Sequence, residues 1–164
     1  MAAVQDGAVA GEVFAFGISE GGNDLVLFGS DTAAVPDGAG GYAFTGTKIF
    51  TSLSPAWDWL GVHARDNSDP DHPKIVHTFI LRGEYGDTKI ETWDTLGVRA
   101  TASHDTLLDD VFVPHERTVG IVDLGQQPTG YIAGIFPWVL PALGNIYAGI
   151  ARRALDLAIA SATS

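Results

Sequence analysis

Between residues 12 and 114 the sequence alternates short apolar runs with clusters of turn formers at intervals of roughly eight to twelve residues, a rhythm suited to short strands rather than long helices. Residues 12–18, EVFAFGI, predict a buried strand closed by the loop SEGGND. A hairpin follows: an apolar run up to Val35, a Pro-Asp-Gly-Ala-Gly-Gly turn, and a strand from Tyr42 that ends in KIFTS. Segments 58–65, 74–82, 88–93 and 105–114 bring the total to about seven. In 74–82, Ile75, His77, Phe79 and Leu81 share one face, and Val76, Thr78 and Ile80 the other. The expected fold class is mainly β, a barrel or sandwich over residues 1–120.

After Pro114 the character changes. Residues 121–140 read as a connector and 141–164 as one long helix, with Pro141 suited to its first turn. Leu143, Ile146, Ile150, Leu157 and Ala158 form one face, Leu155 and Ile159 cover much of the rest, and the only charges are Arg152, Arg153 and Asp156. A helix apolar nearly all round expects partners on several sides, so self-association and a homo-oligomer are expected. From 124 to 151 no residue is charged, which invites a membrane reading. Gln126, Gln127, Asn145 and the prolines at 128, 137 and 141 favour a buried helix, with no membrane span.

Charge narrows the partners. Twenty acidic residues against nine basic ones give a net charge of -11, and no Lys or Arg precedes Lys48. Such a surface repels phosphate backbones and argues against nucleic acid. An anionic cofactor must then be held by backbone N–H groups and hydroxyls. There is no cysteine, which removes disulfides, thiolate zinc sites and cysteine nucleophiles. The first residues lack a basic stretch followed by an apolar core, so a cytoplasmic location is expected.

Few residues offer chemistry of their own. His63 and His77 lie on predicted strands, but no third ligand keeps a metal-like spacing, and no metal is expected. Ser103, His104 and Asp105 are adjacent, so on an extended chain they point to opposite faces and cannot converge as a triad. Two strand ends are more suggestive. Ser19 follows Phe16-Gly17-Ile18, and Thr51-Ser52 follows Phe50. Apolar walls with a few placed hydroxyls suit a flat heterocycle with polar atoms along its edge.

The succession FGISEGGND, YAFTGTKIFTS, DWLGVHAR, WDTLGVRATASHDTLLDDVFVP and AGIARRALDLAIASA resembles the acyl-CoA dehydrogenase family over residues 11–164. It looks like that family's middle β-domain followed by the first helix of its C-terminal helical domain. The resemblance implies FAD as cofactor, with Phe16, Ile18, Ser19, Gly22 and Asn23 at the pyrimidine edge and pyrophosphate. It also implies Phe50, Thr51 and Ser52 against the isoalloxazine, Ser52 donating to N5. The activity implied is α,β-desaturation of an acyl-CoA, or oxidation of another small molecule, with hydride passed to FAD N5. No catalytic residue is expected in this stretch, which would be inactive alone, because the family's carboxylate lies further on. The sequence departs from the family pattern in a shorter SEGGND loop without proline, in Asn23 for serine, in Phe50 for tryptophan and in Ser52 for threonine. Two alternatives stand beside it: a monooxygenase of the same fold using reduced FMN or FAD, and a scaffold that has lost its flavin.

Overall fold

Eight strands, one more than the sequence predicts, make a single mixed sheet in the computed structural model, which describes residues 2–22, 28–126 and 130–163. They are β1 (Phe14–Gly17), β2 (Ala33–Asp37), β3 (Gly41–Thr51), β4 (Trp59–Asp66), β5 (Lys74–Leu81), β6 (Asp87–Ile90), β7 (His104–Pro114) and β8 (Thr118–Asp123). The order is β6-β7-β3-β2-β4-β5-β8, with β1 alongside β4. The predicted hairpin forms as β2 and β3, antiparallel from Ala33↔Thr45 to Asp37↔Gly41.

β1 occupies an unusual place. It runs parallel to the first half of β4, Phe14 opposite Trp59 and Gly17 opposite Val62, while β2 meets the same edge further along at Arg65. Beyond Gly17 the chain crosses to β3 through a bridge between Ser19 and Ile49. The loop after β1 is thereby delivered to the end of β3.

The core is built from Ala15, Phe44, Trp57, Leu60, Val62, Val76, Ile80, Leu108, Val111 and Val113, drawn from five strands and one turn. Each large side chain closed off contributes about 1.5–3 kcal/mol. Both faces of β5 are buried, as its two-sided apolar pattern requires.

Four expectations need correction. Residues 118–123, of which 121–123 were expected in the connector, form β8 because Ile75 and Val122 pair across an edge that β5 would otherwise leave open. Residues 2–10, unassigned in the sequence, form helix α1 (Ala2–Ala10). β6 stops at Ile90, short of the predicted Trp93. The long helix, α2 (Tyr131–Ala162), begins ten residues before Pro141 and continues through Pro137 and Pro141. Proline's preference for a first turn misplaced that start.

Residues 1–127 and 128–164 are separate compact units. In the second, the apolar side chains expected to be buried are exposed, Trp138 by 82%. The segment Ile132–Ala162 is long and apolar enough to cross a membrane by length and composition.

Candidate functional site

Ser19 and the end of β3 meet where the main chain bonds them: the amide of Ile49 donates to the carbonyl of Ser19 at 2.8 Å. Gly17 makes the approach possible. A Cβ there would lie 3.3 Å from both Lys48 Cβ and Thr51 Oγ1. The two strand ends singled out in the sequence are therefore neighbours in space.

Below this junction lies an ion pair that sequence reasoning missed. Glu20 is buried and accepts from Lys48 Nζ at 2.6 Å, from the Ser30 and Thr32 hydroxyls, and from the amides of Asp31 and Thr32. Burial opposes its charge, but those donors outweigh burial and hold the carboxyl well below the usual carboxylate range. Lys48 is pulled down to about 8, chiefly by burial, with Glu20 acting in the opposite direction. Its ammonium also donates to the carbonyl of His63 at 2.6 Å. The signal in the sequence was a lone Lys in an otherwise apolar strand. The pair ties the start of the SEGGND loop, at Glu20, to Lys48 near the end of β3.

The last turn of β3 is irregular. The pairing with β7 shifts between Lys48 and Thr51, and Phe50 adopts a left-handed conformation at φ 56°. This bulge changes the strand's parity, so Lys48 and Thr51 both point inward although three residues apart. Thr51 is fully buried and its hydroxyl accepts from Thr106 at 3.2 Å. The expectation that the Thr51 side chain lines a ligand is thus corrected. Phe50 and Ser52 are turned outward, Phe50 57% exposed.

A second strained segment faces the first. Val98 and Ala102 are also left-handed, at φ 47° and 43°, and Leu53 at 64°. Such conformations in non-glycine residues cost about 1–2 kcal/mol each and persist where surrounding contacts fix them. Here the amides of Leu53 and Ser54 donate to the carbonyls of Thr101 and Ala102. The carbonyl of Val98 collects the Thr101 amide, the Thr101 hydroxyl and the Trp93 indole. Trp93 is further held by its amide, which donates to His104 Nδ1 at 3.0 Å, and it meets Phe50 edge to face at 6.0 Å.

Between these segments lies a cavity of about 260 Å³ lined by Ile49, Phe50, Thr92, Trp93, Ser103 and Asp105. At its edge Ser52 Oγ sits 2.8 Å from Ser103 Oγ, which in turn donates to Thr101 Oγ1 at 2.8 Å. Trp93, Thr101, Ser103 and Asp105 were not singled out as ligand-facing in the sequence, because only the fold brings 92–105 against 49–52.

The remaining candidates divide. Ile18 and Ser19 are half-buried and Gly22 is exposed at φ 81°. Phe16, 41% exposed, lies across Gly61 against Phe79 rather than beside Phe50. Asn23 lies outside the described residues. His63 and His77 pair across β4 and β5 and stack at 5.5 Å.

Comparison with known proteins places this geometry. No family model matches the chain. L-evernosamine nitrososynthase from Micromonospora is 31% identical over 123 residues, 75% of this chain and 29% of that protein. Putative acyl-CoA dehydrogenase YdbM from Bacillus subtilis is 32% identical over 73% of this chain and 29% of its own length. Dibenzothiophene monooxygenase from Rhodococcus qingshengii is 30% identical over 77% and 31%. Among solved structures, KijD3 in complex with FMN and a dTDP-linked amino-keto sugar superimposes with a TM-score of 0.59 at 28% identity, covering 76% of this chain and 28% of that one. Butyryl-CoA dehydrogenase from Megasphaera elsdenii gives 0.61 at 28% identity, covering 70% and 30%. The chain spans about three-tenths of the length of these relatives. Sheet, strand order of motifs and sequence agree, and over the matched region this chain belongs to the acyl-CoA dehydrogenase family.

Proposed function

We propose that this chain forms one wall of the flavin site of an oxidoreductase that acts on a small organic substrate. The observation that carries the reading is the junction of the Ser19 loop with the end of β3, which sets an exposed aromatic face and an exposed hydroxyl side by side. A flavin fits what is present. Phe50 offers an apolar surface, Ser52 a polar edge contact, and residues 19–22 main-chain groups that need no basic field in an acidic protein. The bound flavin would supply the two-electron chemistry, and the protein position and electrostatics.

The chain's own residues do the holding. The buried Glu20–Lys48 pair fixes the start of the loop, the bulge at Phe50 turns Ser52 outward, and Trp93 buttresses Phe50. FMN supports the reading through KijD3, and FAD through the family resemblance. Oxygenation with reduced flavin is favoured by the names nitrososynthase and dibenzothiophene monooxygenase. Desaturation of an acyl-CoA is the second reading, favoured by YdbM and butyryl-CoA dehydrogenase. A cytoplasmic homo-oligomer, with α2 covered by protein rather than lipid, completes the proposal.

Fluorescence titration of the intact protein with FMN and FAD tests it. Saturable quenching, weakened about five- to tenfold by Ser52→Ala and by Phe50→Ala, is the expected result. No binding at saturating flavin overturns it. Oxygen uptake on adding reduced flavin favours the first reading, and anaerobic bleaching of oxidised flavin by an acyl-CoA the second.

A further inference from the structure

A cavity of about 230 Å³ opens on the other side of β7 from the one beside Phe50. Asp105 lines the first and Thr106 the second, and adjacent residues of a strand point to opposite faces. Its wall joins Ser54 and Trp57, in the turn after β3, to Arg82 beyond β5 and to Asp87 and Lys89 on β6. Ser54 and Trp57 are only 1% and 3% exposed, yet Ser54 Oγ and Trp57 Nε1 have no hydrogen-bond partner among the described residues. Polar groups removed from water without a partner are costly, and these two belong to one short turn against one cavity. The indole N–H can only donate, so whatever satisfies it brings an acceptor.

The wall also carries charge of both signs. Arg82 stacks 4.1 Å over the Trp57 ring and donates to the carbonyls of Trp57 and Ser54, the latter at 2.8 Å. Those partners are neutral, and among the described residues no carboxylate is in ion-pair contact with the guanidinium. Asp87 has the opposite need: burial pushes its carboxyl up, against the Gly83 amide and the charge of Arg82. Lys89 is spent on Glu91 at 2.7 Å. What remains is one cation flanked by free donors and one carboxylate, around a space smaller than the ~300–1,000 Å³ of drug-sized sites. We infer that this cavity binds a small zwitterion, an α-amino acid, whose carboxylate accepts from Trp57 and Ser54 beside Arg82 and whose ammonium donates to Asp87. A simple anion is opposed by Asp87 and a simple cation by Arg82. The site requires no flavin and uses neither Phe50 nor Ser52.

The test follows the Trp57 indole N–H by proton–nitrogen NMR of the intact protein, its resonance assigned with Trp57→Phe. Glycine, acetate and methylammonium are titrated in turn at neutral pH and constant ionic strength. Glycine is expected to move that proton downfield and to saturate at millimolar concentration, with acetate and methylammonium about tenfold weaker or worse. Asp87→Asn weakens glycine and tightens acetate, so that the preference disappears. Arg82→Gln weakens glycine about tenfold, and Ser54→Ala, which leaves the bonds of Arg82 intact, weakens it about fivefold should Arg82→Gln not fold. Acetate bound as tightly as glycine by the wild-type protein, or a preference for glycine that survives Asp87→Asn, overturns the inference. So does an indole resonance that ignores all three, the mark of a buried water on that N–H. None of these results bears on the flavin titration above.

Discussion

Lys48 Nζ lies 2.6 Å from Glu20 Oε1, and neither side chain reaches solvent. Two charges removed from water are tolerated here because each is saturated: Glu20 by five donors, Lys48 by Glu20, the Ser30 hydroxyl and the His63 carbonyl.

Removing one partner leaves the other charge buried and uncompensated. Lys48→Met and Glu20→Gln are each expected to cost about 3–5 kcal/mol, read as a lowered urea midpoint. The combination with Glu20→Gln should cost less than the sum of the two, since the second substitution relieves the charge stranded by the first. Strict additivity would show that the pair is not coupled.

Acid should destabilise the β unit well above the range where carboxylates titrate. Burial holds His77 down to about 3, reinforced by His63 and Lys48, against an ordinary value of 6.5. Its contribution is full above 6.5, where both states are neutral. Below 6.5 the unfolded chain takes up a proton that the folded chain refuses, so stability falls with pH towards 3 at up to about 1.4 kcal/mol per pH unit. Glu20 adds a second loss only below its ordinary 4.5, because its folded value is depressed. Urea midpoints between pH 7 and pH 5 should flatten in His77→Gln. An unchanged slope would assign the acid sensitivity elsewhere.

Gly61 is a steric requirement rather than a turn. A Cβ at this position would stand 2.8 Å from the ring of Phe16 and 3.0 Å from that of Phe79. Gly61→Ala is expected to cost about 1–3 kcal/mol and to displace Phe16 from β4. Thermal denaturation together with the near-ultraviolet circular dichroism of the aromatic cluster checks both effects.

Val98 offers the opposite sign. It is a β-branched residue at φ 47° and 71% exposed, so its side chain gives little packing in return for the strain. Val98→Gly is expected to be neutral or stabilising by up to about 1 kcal/mol, as relief of strain competes with the entropy of glycine. Calorimetry measures it, and a loss above that size would mean the side chain packs more than its exposure implies.

Much of the architecture was legible because it is local. The Pro-Asp-Gly-Ala-Gly-Gly turn and its flanking apolar runs fix the β2–β3 hairpin, and alternation fixes β5 and β7. β8 escaped because Thr-Val-Gly-Ile-Val-Asp is short and interrupted by glycine, and becomes a strand only when β5 offers an edge. Phe50 and Ser52, put forward as ligand-facing by the motif KIFTS and the family order of segments, do turn outward. Thr51 does not, because a bulge that strand alternation could not foresee turns it inward beside Lys48.

The sequence by itself therefore determined most of the strands and turns, which follow from periodicity and turn chemistry among near neighbours, and it carried the ordered motifs on which the family resemblance rests. Only the tertiary structure decided that Glu20 would find Lys48, that 92–105 would close over 49–52, and that Ser52 Oγ would stand 2.8 Å from Ser103 Oγ. Those outcomes join residues 28 to 51 positions apart, and pairing at that distance is set by sheet register and burial rather than by anything written in either segment alone.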